Sequence, residues 1–412
     1  MLPDSLRRKP EIVWARRLVW LYFFLLILEG ALRKWAFPDL ANPLILIRDP
    51  IVILIYLFAA SRNSFPMNGF IGCALGLSFL LGLSAMAFGH GNLWVTLYGL
   101  RTNFLHLPLI FVMPLLFSLN DVWNFGKALM WISLPMTVLI VLQFMAAPNS
   151  ILNIAVGGTS SQLIGAMGHV RPSGTFSFVT GVTSFLSMQC AFIIASFMDK
   201  RTPVLRSLSL IALIMALACS ISRASLFACA SVAFALVWGI FLNPTRVKRG
   251  LMFVGLLALL GVAISLTPVF QYGKRVMTAR IEDARMGDSS SYGFLKRVSN
   301  DLTDPLKVIP NVTLTGAGTG AGTNIGAQFL VGTRSFLLAE LEWSRLLLES
   351  GLLLGLFLVG MRATLSFYVL WWAYRSLKKS DNWVSWLLAI SVFPWIFNGP
   401  WGQPTMLGFA CF

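Results

Sequence analysis

The 412 residues carry 57% apolar and only 12% charged side chains, with 32 Phe, 14 Trp and 16 Met to be covered. A soluble chain carries roughly 25% charged residues, so an ordinary soluble globular protein is excluded and lipid must cover much of this surface. Lys and Arg outnumber Asp and Glu by 32 to 16, a formal charge of +16, which in so apolar a chain points to basic loops on one side of a membrane rather than to nucleic acid.

A helix rising 1.5 Å per residue needs about 17–25 mainly apolar residues to cross the hydrocarbon. Eleven runs qualify: residues 17–36, 43–60, 69–88, 97–118, 125–146, 175–198, 204–221, 224–242, 250–268, 350–373 and 383–400. The expected fold is therefore an all-α polytopic membrane protein of about eleven transmembrane helices. Its organisation is five spans in 1–146, a first outer loop at 147–174, spans six to nine in 175–268, a large outer loop at 269–349, and the last spans in 350–412.

Short basic connections set the orientation. Arg7, Arg8, Lys9, Arg16 and Arg17 precede the first span; Lys200, Arg201 and Arg206 flank the link after the sixth; Arg246, Lys248 and Arg249 follow the eighth; Arg375, Lys378 and Lys379 follow the tenth. All fall inside if the N-terminus is cytoplasmic, and both long loops then lie outside. The chain beyond Asn398, Gly399 and Pro400 ends outside or in a short re-entrant piece. The first span, with Glu29, Arg33 and Lys34, is too long and too charged for a cleaved signal peptide and is expected to stay as an anchor.

The large loop opens on Lys274, Arg275, Arg280, Glu282, Asp283 and Arg285, passes Lys296 and Arg297, and reaches the run Gly316-Ala-Gly318-Thr-Gly320-Ala-Gly322. Beyond Gly332, apolar residues recur at helical spacing with Glu340, Glu342, Arg345 and Glu349 between them, which predicts an amphipathic helix near the interface.

The common catalytic signatures are missing. His90, His106 and His169 are the three histidines; there is no HExxH, no paired Cys and no acidic cluster with metal spacing, so no metal and no cofactor is expected. The five cysteines, Cys73, Cys190, Cys219, Cys229 and Cys411, stand singly in apolar stretches and read as small core residues. The Gly-rich run lacks a following GK[ST], and its dinucleotide-like Gly316-x-Gly318-x-x-Ala321 fragment has no βαβ context.

What remains is arginine. Arg48, Arg101, Arg171, Arg223, Arg297, Arg334 and Arg345 map to the outer third of a span or to the outer loops, where the sorting bias for positive charge is weakest. Local ion pairs are one account: Arg48 has Asp49 beside it, and Arg33 has Glu29 one turn away. Arg101, about a turn inside an apolar segment, and Arg223, without an acidic neighbour, are expected to face a cavity. Guanidinium groups converging there bind a multiply charged oxygen anion bidentately, a lipid pyrophosphate above all, and neutralise charge developing on it as it departs.

Four segments, taken in order, carry a resemblance. Arg171-Pro-Ser-Gly-Thr-Phe176 is similar to the R-x-x-G-T-F element of the O-antigen ligase and polysaccharide polymerase superfamily. Ser222-Arg223-Ala224 resembles its S-R-[GA] signature, Arg297 with the Gly316–Gly322 run resembles its R…G-x-G-x-G loop, and Glu349-Ser-Gly351-Leu-Leu resembles its E-x-G-L tail. The likeness spans about residues 160–375.

Such proteins are metal-independent membrane glycosyltransferases that take glycans from undecaprenyl pyrophosphate outside the cytoplasmic membrane. The resemblance implies that Arg171, Arg223 and Arg297 contact pyrophosphate or glycan, with Arg297 beside the reacting centre; Arg101, Arg334 and Arg345 are further candidates for substrate binding. Ligases of this family carry a His-Asn pair about nine residues before the tail, and here Glu340 and Leu341 occupy those positions. Glu340 is thus the candidate general base, or equally the ion-pair partner of Arg345 or an outer-face Arg that positions the helix, and polymerisation stays open beside ligation. The implied partners are a lipid-linked oligosaccharide, a glycan acceptor, membrane lipid, and a flippase or chain-length regulator, with no nucleic acid. The alternative is a transporter or flippase for an anionic lipid or solute.

Overall fold

The computed structural model describes residues 10–61, 65–158, 161–287, 303–332 and 337–412. Arg297 and Arg334 lie outside the described residues. Apart from isolated antiparallel bridges at Ile154–Ser161 and Ile164–Val170, the described regular structure is helical. In chain order the helices are α1 (Pro10–Ala31), α2 (Asp49–Ala60), α3 (Gly69–Ala87), α4 (Leu93–Leu100), α5 (Leu109–Leu116), α6 (Leu119–Met145), α7 (Val179–Met198) and α8 (Pro203–Cys219). There follow α9 (Arg223–Leu242), α10 (Val247–Ser265), α11 (Pro268–Gly287), α12 (Asn324–Val331), α13 (Glu342–Ser350), α14 (Leu352–Ser380), α15 (Trp383–Asn398) and α16 (Pro404–Cys411).

Each apolar run became a helix or a helix pair, but the expected count of eleven spans is not reached. Among the described residues seven helices are long and apolar enough to cross a membrane, or eight if the pair Leu93–Leu105 and Leu109–Leu116, bent by 42°, is one span. The shortfall has physical causes. Four charges, Glu11, Arg16, Arg17 and Glu29, fall in α1, α8 with 17 residues stands at the lower limit of a span, and α15 with 16 falls below it.

The helix starts follow local chemistry. Ser118 and Asp121 form a reciprocal capping box on α6, Asn92 Oδ1 accepts from the Trp94 and Val95 amides at the head of α4, and Ser222 Oγ caps α9 by accepting from Ser225 N. The core is built around α7, the one candidate span among the described residues that is buried along nearly its whole length. It packs against α8, α9 and α15, and its small and hydroxylated side chains allow close approach where apolar burial drives little inside lipid. Thr183 Oγ1 lies 2.8 Å from Ser225 Oγ, and Gln189 Nε2 donates to Ser209 O at 2.9 Å. Cys190, Cys219, Cys229 and Cys411 are buried as expected, whereas Cys73 is exposed and lines an apolar groove between α3, α5 and α14.

The bundle has two unlike ends. At one, Asp381 accepts from Asn243 Nδ2 at 2.9 Å and from Arg246 Nε at 2.7 Å; Lys378 and Lys379 directly precede it, and Arg246 and Arg249 donate to Met198 O, just ahead of Lys200 and Arg201. At the other, residues 151–158 and 161–178, the Gly-rich run and α13 gather over the ends of α1, α3 and α4. The predicted interfacial helix is corrected here: Glu342, Arg345 and Glu349 are 4%, 4% and 0% exposed, so α13 turns its charges into the protein rather than toward water.

Candidate functional site

The Gly-rich run is held from below by a carboxylate. Gly320 N and Gly322 N donate to the two Glu349 oxygens at 3.0 and 2.8 Å, while Ala317 N and Gly318 N donate to the carbonyls of Leu348 and Glu349. Gly320 has φ +92°, and a β-carbon there would stand 2.3 Å from Val95 O, so only glycine fits between the run and α4. His90 Nε2, 3.2 Å from Thr319 O, and Ser84 Oγ, donating to Thr315 O at 3.0 Å, tie the run to α3 and its following turn.

Glu349 belongs to a buried ionic group. Arg345 donates to Glu342 at 2.9 and 3.0 Å, and its Nη1 stands 2.8 Å from Glu349 Oε1. Arg362, from the middle of α14, donates to Glu342 at 2.7 Å, to the Gly399 carbonyl at 2.7 Å, and stacks 4.0 Å from the Trp401 ring. Two guanidiniums balance two carboxylates. Burial alone would raise the Glu342 pKa, but Arg345 and Arg362 beside it hold the carboxyl below its usual range; burial would likewise lower Arg345, and its two carboxylates raise it instead.

The Arg171–Phe176 segment is built on α1. Lys34 Nζ, itself buried, donates to Ser173 Oγ at 2.8 Å and to Gly174 O at 2.7 Å, Arg33 Nη1 donates to Ser177 Oγ at 2.9 Å, and Gly174 N donates to Gln143 Oε1 at 2.8 Å. Gly30 is required by this contact, since a β-carbon there would meet Ser177 N at 2.2 Å. A β-carbon at Gly165 would stand 2.9 Å from Arg171 Cγ and 3.1 Å from Ile221 Cγ2. The Arg171 stem therefore packs beside the turn that leads, two residues on, into Arg223 at the head of α9. The turn at 399–403 links the two halves: Trp401 N donates to Glu342 at 3.3 Å, and Thr180 Oγ1 donates to Gln403 Oε1 at 2.7 Å.

Arg101 lies elsewhere on this end. It donates bidentately to Asp49 at 2.7 and 2.9 Å and to Ile45 O at 3.0 Å. His106 Nε2 stands 3.0 Å from the same carboxylate and His106 Nδ1 2.9 Å from Tyr22 OH. Arg48 Nη1 reaches that hydroxyl at 3.2 Å and Arg48 Nε donates to Glu29 at 2.9 Å, with Arg33 on the other Glu29 oxygen at 3.2 Å. The expected Arg33–Glu29 pair is present. The Arg48–Asp49 pair is not; Arg48 turns to Glu29 because Arg101 and His106 occupy Asp49.

Of the candidate residues, Arg171 and the Arg223 turn are brought together. Arg101 lines a cleft with Asp49 as partner, and Arg345 is enclosed by two carboxylates. Glu340 is exposed, ahead of α13, and forms no ion pair with a described residue. Reading by motif overlooked Lys34, Arg362 and the Asp49–His106 pair. The signal for Arg362 was present: a guanidinium in the apolar stretch of α14 is costly and marks a buried partner. Among the described residues no group of three or more His, Cys, Asp or Glu is disposed to hold a metal. No family model matches the chain, and no curated protein matches it.

Proposed function

We propose that this protein is a membrane glycosyltransferase that polymerises glycan carried on undecaprenyl pyrophosphate, or transfers it to an acceptor, at the end of the bundle where residues 151–158, 161–178, 316–323 and 342–351 gather. The observation that carries this reading is the pairwise docking of the motif segments: Arg171 packs with the Ile221–Arg223 turn, and the Gly316–Gly322 run seats on Glu349. Segments between 27 and 52 residues apart in the chain thus face one another at one end of the bundle.

In the proposed reaction the acceptor hydroxyl attacks the anomeric carbon, the bond from that carbon to the pyrophosphate oxygen breaks, and the hydroxyl proton passes to a base, for which Glu340 is the candidate. Arg171, Arg223 and Arg297 would stabilise the negative charge growing on the departing pyrophosphate. Arg101, Arg334 and Arg345 complete the proposed substrate-binding set, with Arg345 acting through the Gly-rich run it underlies.

The reading assigns the basic end to the cytoplasm and the motif end to the outer side of a bacterial cytoplasmic membrane, with a flippase or chain-length regulator as neighbours. Its test is the purified protein in lipid vesicles supplied with lipid-linked oligosaccharide and a glycan acceptor. A ladder of longer glycans released together with undecaprenyl pyrophosphate supports it; an intact substrate pool ends it. The 42° break between Leu105 and Leu109 favours a second reading, transport of an anionic lipid or solute, because broken helices line transporter sites. Movement of the lipid-linked substrate between leaflets without new glycosidic bonds would select it.

A further inference from the structure

A cleft of about 620 Å3 opens between the Pro43–Leu46 turn, α4 and α12, within the roughly 300–1,000 Å3 of small-molecule sites. Its walls carry three aromatic rings, Trp94, Tyr98 and Phe329. Trp94 and Phe329 are 68% and 61% exposed, so their faces are available to a ligand. The lining also holds planar polar groups, the Asn42 and Gln328 amides and the Asp49–Arg101 pair.

This lining discriminates among ligand classes. A hydrocarbon tail needs no planar hydrogen-bonding groups. An anion needs an unbalanced cation, and Arg101 is already committed to Asp49 through two hydrogen bonds of 2.7 and 2.9 Å. A saccharide needs both features found here: aromatic faces to receive the C–H side of a pyranose ring, and planar amide edges that engage adjacent hydroxyls in pairs. An amide offers four hydrogen-bonding positions, so a partner already held by Asn42 or Gln328 does not exhaust it.

The cleft is also joined to the motif segments. Its α4 wall is pinned to Gly320 at the Gly99 backbone, where a β-carbon would stand 2.5 Å from Gly320 N. Its α12 wall starts at Asn324, directly after Thr323, whose hydroxyl accepts from Gly326 N at 2.9 Å. The lining is stiff at Asp49, which is held at once by Arg101 and His106.

We infer that the cleft bounded by Pro43–Leu46, α4 and α12 is a binding site for an uncharged stretch of glycan, separate from the Arg171–Arg223 region. This rests on the proposed function for its glycan, though the chemistry of the lining argues for a saccharide independently. The bound stretch is the growing chain, held while the reacting end lies at the Arg171–Arg223 segments.

The test places a benzophenone-bearing phenylalanine analogue at Leu97, which lines the cleft, in the full-length protein made in its own cell, and illuminates the membranes. The same probe at Leu75, exposed on α3, is the lipid-facing control. A glycan adduct at Leu97, seen by mass spectrometry and absent at Leu75, is expected, reduced roughly two- to tenfold by Trp94→Ala and largely retained by Trp94→Phe. Phospholipid adducts alone at Leu97, or none there while Leu75 labels, would overturn the site. If the glycan adduct forms at Leu97 but the purified protein leaves the lipid-linked substrate intact, the cleft stands and the glycosyltransferase reading falls. A ladder without the adduct removes the cleft and leaves the glycosyltransferase reading in place.

Discussion

Asn103 is 2% exposed and both of its amide atoms lack a hydrogen-bond partner. An unpaired buried amide costs about 1–3 kcal/mol, and the residue sits in the π-type turn Arg101–Leu105 beside the cleft, a kind of distortion that recurs at functional sites. Replacement of Asn103 by Leu should therefore raise the melting temperature in detergent; a fall would show that the amide is satisfied by ordered water it needs. Glu342 behaves in the opposite sense. It is buried between Arg345 and Arg362, so Glu342→Gln leaves two guanidiniums short of a counter-charge and should cost about 3–5 kcal/mol, read as a large drop in the same melting curve. The pH dependence follows in sign: the Glu342 pKa is lowered from 4.5, so its contribution is whole above that value and is lost as the pH falls through the lower folded pKa. Glu340 is exposed and outside that ionic group. Under the proposed function Glu340→Gln should abolish glycan transfer while lipid pyrophosphate still binds; retained transfer would remove it as the base.

At the scale of elements, the informative contact is between the Gly-rich run and α4. The run reads in sequence as a flexible stretch, yet it is pinned by the Glu349 carboxylate and by backbone approach to Val95 and Gly99. Gly320→Ala should cost roughly 1–3 kcal/mol of backbone strain, because φ is +92° and the new methyl would meet Val95 O. Faster cleavage of residues 316–323 by added protease, with the rest of the bundle protected, is the expected result; unchanged protection would mean that the run is not held where these contacts put it. The correction to α13 has the same origin. Its charges alternate as on a solvated helix, but three of them have partners on α13 itself and the fourth member of the group, Arg362, arrives from α14.

For the molecule as a whole, the two ends differ in charge, and the proposed orientation follows from that difference. Cysteine introduced at Ser161, an exposed residue at the motif end, should react with an impermeant thiol reagent added to intact cells. Cysteine at Lys379, at the basic end, should react only after the membrane is opened. The reverse pattern would invert the topology and move the proposed chemistry to the other side.

Apolar run length determined where the helices lie, because crossing hydrocarbon is a demand on consecutive residues, and each run located in sequence is helical here. Capping at Asn92, Ser118 and Ser222 is equally local, each side chain accepting from an amide two or three residues on. The four motif segments could be picked out by residue order, but not their pairing. The Arg33–Glu29 pair was legible one turn apart, but tertiary structure decided the longer-range pairs: Arg48 chose Glu29 over its neighbour Asp49 because α4 delivers Arg101, 52 positions away, to that carboxylate. It decided also that Lys34 would hold Ser173 and Gly174, and that Trp94, Tyr98 and Phe329 would share one cleft. In a low-dielectric interior a buried charge takes whichever partner the packing brings within hydrogen-bond distance, and proximity in space between distant segments is not written in any local run of residues.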